Sequence, residues 1–437
     1  MKESISIGLI GFGTVGCGVV TLLQEEKDLF EKRVGARLVL QKVADLDIST
    51  PRPVVPEPGC LTTDAGEVIA NPEIDIVVEL MGGYEPAHSF LVEAIRAKKH
   101  VVTANKALIA THGNDLFRIA EENGVDIGFE ASVGGTIPII KTIKESLVAN
   151  RIESIFGIMN GTSNFILTKM TDDGESFAVV LKEAQRLGFA EADPTFDVEG
   201  IDASHKLAIL VSLAYGKNVN LEEIYVEGIT GITEQDIAFA RELGYRIKLL
   251  GIAVDRGDAV EARVHPTMIP FSHLLANVNT NYNAFHIVGS ASGPIFLYGQ
   301  GAGMMPTASA VMSDIVDIAR NIRKGTGCRV PARSVREKDM SEIRLRPFDE
   351  VRSNYYFRFT AVDRPGVLSK ISGILGERNI SISTVIQKGR TKEGAVPVVM
   401  TTYKARERDV REALQAIDRL DVVLDKTVLI RVEDDEL

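Results

Sequence analysis

Five carboxylates and a single lysine lie close together in the stretch GFAEADPTFDVEGIDASHK, residues 188–206. The lysine, Lys206, begins an apolar run, KLAILVSLAYG, and Asp202 precedes it by four residues. Residues four apart share one face of a helix. A buried lysine can protonate or stabilise a developing alkoxide, and carboxylates can bind an ammonium group. The stretch therefore indicates chemistry on a small, polar, cationic substrate; the alternative is a cluster of surface charges at a helix start.

A glycine-rich turn near the N-terminus predicts a nucleotide site. The turn, GFGTVG, follows an apolar strand, begins a helix and comprises Gly11, Phe12, Gly13, Thr14, Val15 and Gly16. Glycine permits a tight turn and a close approach to pyrophosphate, and the helix N-terminus supplies free N–H donors. Asp45, at the end of the next strand, would bind the ribose of NAD. Arg52 would instead suit the 2′-phosphate of NADP, so the nucleotide preference stays open.

Apolar strands alternate with helices through the first third of the chain, which predicts an α/β fold with a Rossmann-type doubly wound parallel sheet. We expect this domain to span residues 1–135 and to be completed by a helix at 305–324. Lys106 follows another of its strands, in TANK. Ligands of such sheets bind beyond the carboxyl ends of the strands, so Lys106 is a candidate for contact with both nicotinamide and substrate.

Two further domains are predicted downstream. Residues 136–304 have the pattern of an α+β domain, with helices expected at 137–149 and 204–215. After a basic linker at 325–350, residues 351–437 have the order strand, helix, strand, strand, helix, strand, the last strand being expected at 422–432. This βαββαβ order is that of the ferredoxin-like fold.

Composition excludes several classes of protein. The chain has 437 residues, 45% of them hydrophobic, and its net charge of −11 gives no reason to expect a nucleic-acid partner. No apolar run reaches the roughly 18–20 residues of a membrane span, and the N-terminus lacks the pattern of a signal peptide. The three cysteines lack metal or redox spacing. We therefore expect a cytoplasmic protein with no membrane partner.

Four segments in this order resemble homoserine dehydrogenase. They are GFGTVG at 11–16, NGTSNFIL at 160–167, GFAEADPTFDVEGIDASHKLAIL at 188–210 and GQGAGMMPTASAV at 299–311. That family interconverts L-aspartate 4-semialdehyde and L-homoserine with NADP or NAD, in threonine, methionine and isoleucine biosynthesis. The resemblance implies that Lys206 is the general acid and that Lys106 lies between cofactor and substrate. It also implies a substrate pocket containing Glu191, Asp202 and Asp197.

The same resemblance implies further ligands. It places Gly188 and Gly303 at the cofactor, and a sodium ion at Glu130, Val133, Gly135 and Ile137. From the residues alone, Gly134-Gly135 predicts only a structural turn.

The tail, with Asp-Arg-Pro-Gly at 363–366, resembles an ACT domain. This implies feedback inhibition by threonine and side-by-side pairing into a homodimer or homotetramer. The alternative is a dimerisation module that has lost its ligand.

Two other functions would share some of these features. Aspartate-semialdehyde dehydrogenase shares the metabolite but needs an activated cysteine nucleophile. Cys17 lies on the cofactor helix, and Cys60 and Cys328 have no motif around them. A non-catalytic sensor of nucleotide and amino acid would keep the fingerprint and the ACT-like module. Such a sensor would not need Lys206 together with Asp202.

Overall fold

The computed structural model describes residues 2–340, 344–388 and 394–434, so part of the predicted linker and tail lies outside the described residues. The described chain forms two compact units. The first contains residues 1–153, 205–221 and 283–343, and the second contains residues 154–204, 222–282 and 344–437. The predicted domain boundaries divide the chain differently and stay predictions.

The N-terminal region is a parallel sheet with helices between its strands. Its elements are β1 (Ser4–Ile10), α1 (Thr14–Glu25), α2 (Lys27–Val34), β2 (Arg37–Ala44), β3 (Leu61–Thr62), α3 (Ala65–Ile69), β4 (Ile76–Glu79), α4 (Ala87–Arg96), β5 (His100–Thr103), α5 (Lys106–Asn123) and β6 (Ile127–Gly128). The strand order is β3-β2-β1-β4-β5-β6, with every pair parallel. This confirms the doubly wound sheet, in which β3 and β2 lie on one side of β1 and β4, β5 and β6 on the other.

The middle region mixes helices with long antiparallel strands. Its elements are α6 (Ile139–Lys141), β7 (Ile152–Ile158), α7 (Gly161–Asp173), α8 (Phe177–Arg186), α9 (Thr195–Val198), α10 (Ile201–Tyr215), β8 (Tyr225–Val226), α11 (Glu234–Glu242), β9 (Tyr245–Asp255), β10 (Val260–Pro270), β11 (Tyr282–Gly289), β12 (Gly293–Gln300) and α12 (Met304–Lys324). Helix α12 packs against α1, where a Cβ built on Gly18 would lie 2.7 Å from the carbonyl oxygen of Met304.

Two predicted helices differ in their bounds. The helix expected at 137–149 is the short α6 followed by a π-helical turn, Thr142–Ser146, whose end is marked by the Leu147 N–H donating to the Thr142 carbonyl. The helix expected at 204–215 begins at Ile201, directly after Gly200 with its φ of +81°. Asp202 therefore lies in the first turn of α10.

The C-terminal region has the predicted ferredoxin-like order. Its elements are β13 (Arg352–Val362), α13 (Val367–Glu377), β14 (Ile382–Gln387), β15 (Ala395–Thr402), β16 (Ala405–Arg406), α14 (Glu407–Ile417) and β17 (Val428–Val432). The four main strands lie in the order β17-β13-β15-β14. The last strand is shorter than predicted because Asp418 accepts from both the N–H and the hydroxyl of Thr427, which fixes a turn there.

Strand β17 also joins the middle region, which the sequence did not predict. It pairs in parallel with β10, placing Arg431 opposite Thr267 and Val432 opposite Met268. Within the second unit the strands therefore continue in the order β7-β9-β10-β17-β13-β15-β14, and β8 pairs with β10. The C-terminal module is thus hydrogen-bonded to the α+β region through main-chain atoms.

Among the described residues, no helix is both long and apolar enough to cross a membrane.

Candidate active site

The glycine-rich turn has the geometry that its sequence predicts. Gly11 has a φ of +100°, and Gly13 precedes the first residue of α1. A Cβ built on Gly16 would lie 2.3 Å from the carbonyl oxygen of Gly11, so this position admits only glycine without a backbone shift. At Gly13, by contrast, no atom of the described residues lies within 4 Å of a built Cβ. This leaves room for a phosphate group at the helix N-terminus.

Asp45 and Arg52 both lie beside this turn, in the same unit. The Phe12 N–H donates to the Asp45 carboxylate at 2.6 Å, and Arg52 lies 3.7 Å from that carboxylate. The Arg52 guanidinium is also 5.7 Å from the centroid of the Phe12 ring. Asp45 therefore braces the turn, and Arg52 is held next to it.

Lys106 is the first residue of α5, and a buried polar chain fixes its position. Asn105 caps the helix by accepting from the Leu108 N–H, and its amide donates to the Gly83 carbonyl at 2.6 Å. Thr103 donates to the fully buried Glu79 at 2.6 Å. Burial raises the pKa of Glu79, although its bond from Thr103 acts in the opposite direction. Lys106 itself is half-buried.

Asn160 joins two of the predicted substrate carboxylates. Its side-chain amide donates to Asp197 at 2.7 Å and to Asp202 at 2.8 Å, while its oxygen caps α7 by accepting from Ser163. The Thr162 hydroxyl is 3.0 Å from the second Asp197 oxygen. No local pattern marks these contacts, because they join residues 37 and 42 positions apart in the chain.

The other acids of the 188–206 stretch differ in their surroundings. Asp193 accepts from the N–H and hydroxyl of Thr195, and Glu199 accepts from Thr230, so both have structural partners. Glu191 has an exposed side chain. Gly188 is also exposed and has a φ of +77°.

Lys206 lies on α10 and is 8% exposed, four residues after Asp202, which is 3% exposed. Burial of a lysine is costly unless partners stabilise it, and it makes the protonation state sensitive to surroundings. The burial argues against the alternative of an exposed surface pair.

The turn around Glu130 is tightly packed. Both Glu130 carboxylate oxygens accept backbone N–H groups, of Ile140 and Lys141, at 2.8 Å. Burial, with the nearby charge of Asp314, raises the pKa of Glu130 to about 7. Across the described residues, no cluster of three His, Cys, Asp or Glu side chains is arranged to hold a metal ion. A cation here would therefore be held by main-chain carbonyl oxygens, which suit a hard ion.

Gly303, the other predicted cofactor glycine, precedes α12 with a φ of +135°. The Glu130 turn adjoins the loop that leads to it. A Cβ built on Gly135 would lie 2.4 Å from the Gly301 carbonyl oxygen, and the Thr136 N–H donates to the Gln300 carbonyl. The two glycine-rich segments thus fix each other's backbone.

Sequence reasoning missed the buried lysine Lys248. The Lys248 ammonium donates to the Asn164 side chain at 2.9 Å and to the Val278 carbonyl at 2.6 Å. Burial lowers the pKa of Lys248 to about 7. Through Asn164, Lys248 holds α7 in place. No local pattern in strand β9 predicts that this lysine is buried.

Comparison with protein families accounts for almost the whole chain. Residues 11–130 match the homoserine dehydrogenase NAD-binding domain, residues 138–316 match the homoserine dehydrogenase domain, and residues 355–422 match the ACT domain. The chain belongs to the homoserine dehydrogenase family. It is accordingly an oxidoreductase with a nucleotide-binding domain and a C-terminal ACT domain.

Relatives in this family match over their full length. Homoserine dehydrogenases of Pseudomonas aeruginosa and Neisseria gonorrhoeae are 46% and 45% identical, with 99% of each chain covered. The crystal structure of a homoserine dehydrogenase from Thiobacillus denitrificans has a TM-score of 0.94 at 46% identity, covering 99% of both chains. A hyperthermophilic archaeal homoserine dehydrogenase in complex with NADPH has a TM-score of 0.63 at 27% identity, and covers 75% of this chain and 100% of that one.

Proposed function

We propose that the chain catalyses the reversible reduction of L-aspartate 4-semialdehyde to L-homoserine, with Lys206 as the proton donor. The observation that carries this proposal is the pair of carboxylates bridged by Asn160. The amide donates one hydrogen bond to each carboxylate and so holds Asp197 and Asp202 side by side. Two carboxylates held side by side suit a substrate that carries an ammonium group.

The proposed site residues then bind the two ends of the substrate and transfer a proton. Glu191, Asp197 and Asp202 bind the ammonium end of the substrate, and Lys106 binds near its carboxylate beside the nucleotide. The bound nucleotide supplies or accepts a hydride at the aldehyde carbon. Lys206 gives a proton to the alkoxide oxygen during reduction and takes it back during oxidation, as general acid–base catalysis requires.

The nucleotide is held by the turn at 11–16 together with Gly188 and Gly303. Two observations favour NADP over NAD. Asp45 already accepts from the Phe12 and Asp47 backbone N–H groups, and Arg52 is fixed beside it, where a 2′-phosphate would gain a cationic partner. The related archaeal enzyme was solved with NADPH.

A sodium ion is a further part of the proposal. It would be held at Glu130, Val133, Gly135 and Ile137, the residues that the family resemblance implies. Its role would be structural, namely to fix the turn that packs on Gln300 and Gly301.

The ACT domain supports a proposal of feedback inhibition by threonine. Strand β14 lies at the end of the strand order and exposes Val385, which suits side-by-side pairing into a homodimer or homotetramer.

The free cysteines Cys17, Cys60 and Cys328 are compatible with a reducing cytoplasm.

Titration of threonine against homoserine oxidation, with NADP⁺ and with NAD⁺, tests both proposals. We expect inhibition that saturates, and a higher kcat/KM with NADP⁺. Equal kcat/KM values would refute the role of Arg52, and activity that is indifferent to threonine would leave the ACT domain as a pairing module. Light scattering with and without threonine measures the oligomeric state.

Asn160→Ala is expected to raise the KM for L-homoserine by about 10-fold, since two carboxylates lose the donor that orients them, with a stability loss of about 1–3 kcal/mol. The KM for the nucleotide should change little. Steady-state kinetics and urea unfolding measure these values. Asn277→Ala is the control, because that exposed amide donates to the backbone carbonyls of Phe271 and His273. An unchanged homoserine KM in Asn160→Ala would contradict the role of the bridge.

A further inference from the structure

A short segment of the second unit, residues 225–232, connects the substrate carboxylates with the C-terminal module. We call it the strap. It begins with strand β8, which pairs with β10 by placing Tyr225 opposite Arg263, and the Glu227 N–H donates to the Val264 carbonyl at 2.8 Å. The strap is therefore anchored to the sheet at its first residues.

From Gly228 onward, the strap contacts Val198 and Glu199. A Cβ built on Gly228 would lie 2.4 Å from the Val198 carbonyl oxygen and 2.5 Å from the Glu199 Cα, so the two backbones are in close contact. The Ile229 N–H donates to the Val198 carbonyl at 2.8 Å, and the Thr230 hydroxyl donates to Glu199 at 3.0 Å. Val198 and Glu199 follow Asp197 in the chain. The strap thus fixes the backbone next to a proposed substrate ligand.

The near end of the strap is held by the C-terminal module. Glu227 accepts from the Arg431 guanidinium and, at 2.7 Å, from the Tyr225 hydroxyl. Arg431, on β17, is 2% exposed and also donates to Glu407, on α14, at 2.5 and 3.3 Å. One guanidinium therefore joins a strand and a helix of the module to the strap.

Phe348, in the predicted linker, belongs to the same cluster. The Phe348 ring stacks on Tyr225 with ring centroids 3.6 Å apart and an interplanar angle of 6°. Arg411 and Arg431 lie between 4.9 and 5.3 Å from the centroids of these rings. Packing of the stacked rings against the two guanidinium groups restricts the rotation of Tyr225, and hence the position of Glu227.

We propose that Glu227 is a positioning residue for the substrate-binding carboxylates, and that Arg431 of the ACT domain holds it in place. The ACT domain then acts on substrate binding through the strap, by way of Gly228 and Thr230. This inference rests on the proposed function, since it takes Asp197 as a substrate ligand. A purely structural role for the cluster would change stability without changing substrate affinity.

Two mild substitutions at opposite ends of the strap test the proposal. Glu227→Gln removes the charge that Arg431 holds but leaves Arg431 paired with Glu407. Thr230→Val removes the hydroxyl that holds Glu199. In the full-length protein, each is expected to raise the KM for L-homoserine by about 3–10-fold, the size expected for one lost hydrogen bond. The kcat and the KM for NADP⁺ should stay within about twofold, a change of less than 0.5 kcal/mol.

The double variant and a matched control complete the test. If one strap transmits both effects, the KM of Glu227→Gln/Thr230→Val should rise by less than the product of the single effects. Glu242→Gln removes another ion pair of the C-terminal module, with Lys388 at 2.6 Å, and should leave KM unchanged. Lower thermal stability with an unchanged homoserine KM in both single variants would overturn the proposal. A wild-type protein that does not oxidise homoserine would instead refute the proposed function itself.

Discussion

Lys206→Ala is expected to lower turnover by about 10²–10⁴-fold, the usual contribution of a general acid, while nucleotide affinity stays near the wild-type value. Aldehyde reduction leaves an alkoxide that needs a proton, and hydride transfer without a positioned donor leaves that charge uncompensated. The measurements are single-turnover rates in both directions and fluorescence titration of the reduced nucleotide. The rate of the variant should also lose the pH dependence that arises from the acid.

Lys206→Arg separates proton transfer from charge. Arginine keeps the positive charge, but its pKa is too high for it to release a proton at neutral pH, so turnover should remain low. Lys169→Ala is the control, because Lys169 forms an ion pair with Asp173 on the adjacent turn of α7 and has no proposed part in the chemistry. Turnover of Lys206→Ala at the wild-type rate would show that another group is the acid.

Gly13→Ala is expected to weaken nucleotide binding by at least about tenfold, or 1.4 kcal/mol, and to leave stability within about 1 kcal/mol of wild type. The built Cβ meets no atom of the described residues within 4 Å, and the φ of −76° is accessible to alanine. The added methyl group would therefore occupy only the space that the pyrophosphate needs. Calorimetric titration with NADPH and urea unfolding measure the two effects separately.

Gly16→Ala provides the contrast. Its Cβ would lie 2.3 Å from the Gly11 carbonyl oxygen, so the turn itself must move. We expect a stability loss of about 1–3 kcal/mol together with weaker binding. If Gly13→Ala binds NADPH like the wild type, the pyrophosphate does not lie over this turn, and the assignment of the cofactor site is wrong.

Local patterns in the sequence predicted the parts of this protein that local forces determine. The alternation of apolar strands and helices predicted the doubly wound sheet, and the spacing of Gly11, Gly13 and Gly16 predicted a tight turn that leads into a helix. The order of elements in the tail predicted the ferredoxin-like fold. In each case, the determining contacts lie within a few residues or within one strand–helix unit.

Contacts between distant residues were not predictable in the same way. Asn160 finds Asp197 and Asp202 only when α7, α9 and α10 are packed together, and its sequence neighbours carry no sign of those partners. Likewise, the pairing of β17 with β10 depends on strand register, for which the residues around Arg431 contain no local signal. The last strand also begins later than predicted, at Val428, because the hydrogen bonds from Thr427 to Asp418 fix a turn directly before it.

The proposed oxidation of L-homoserine is tested most directly by mixing the purified protein with L-homoserine and either NADP⁺ or NAD⁺. The near-ultraviolet absorbance of reduced nicotinamide is then measured. We expect a rise in absorbance that depends on enzyme and on L-homoserine, and that D-homoserine does not produce. No rise with either nucleotide, from a protein that binds NADPH, would contradict it. That result would favour a non-catalytic sensor of nucleotide and amino acid.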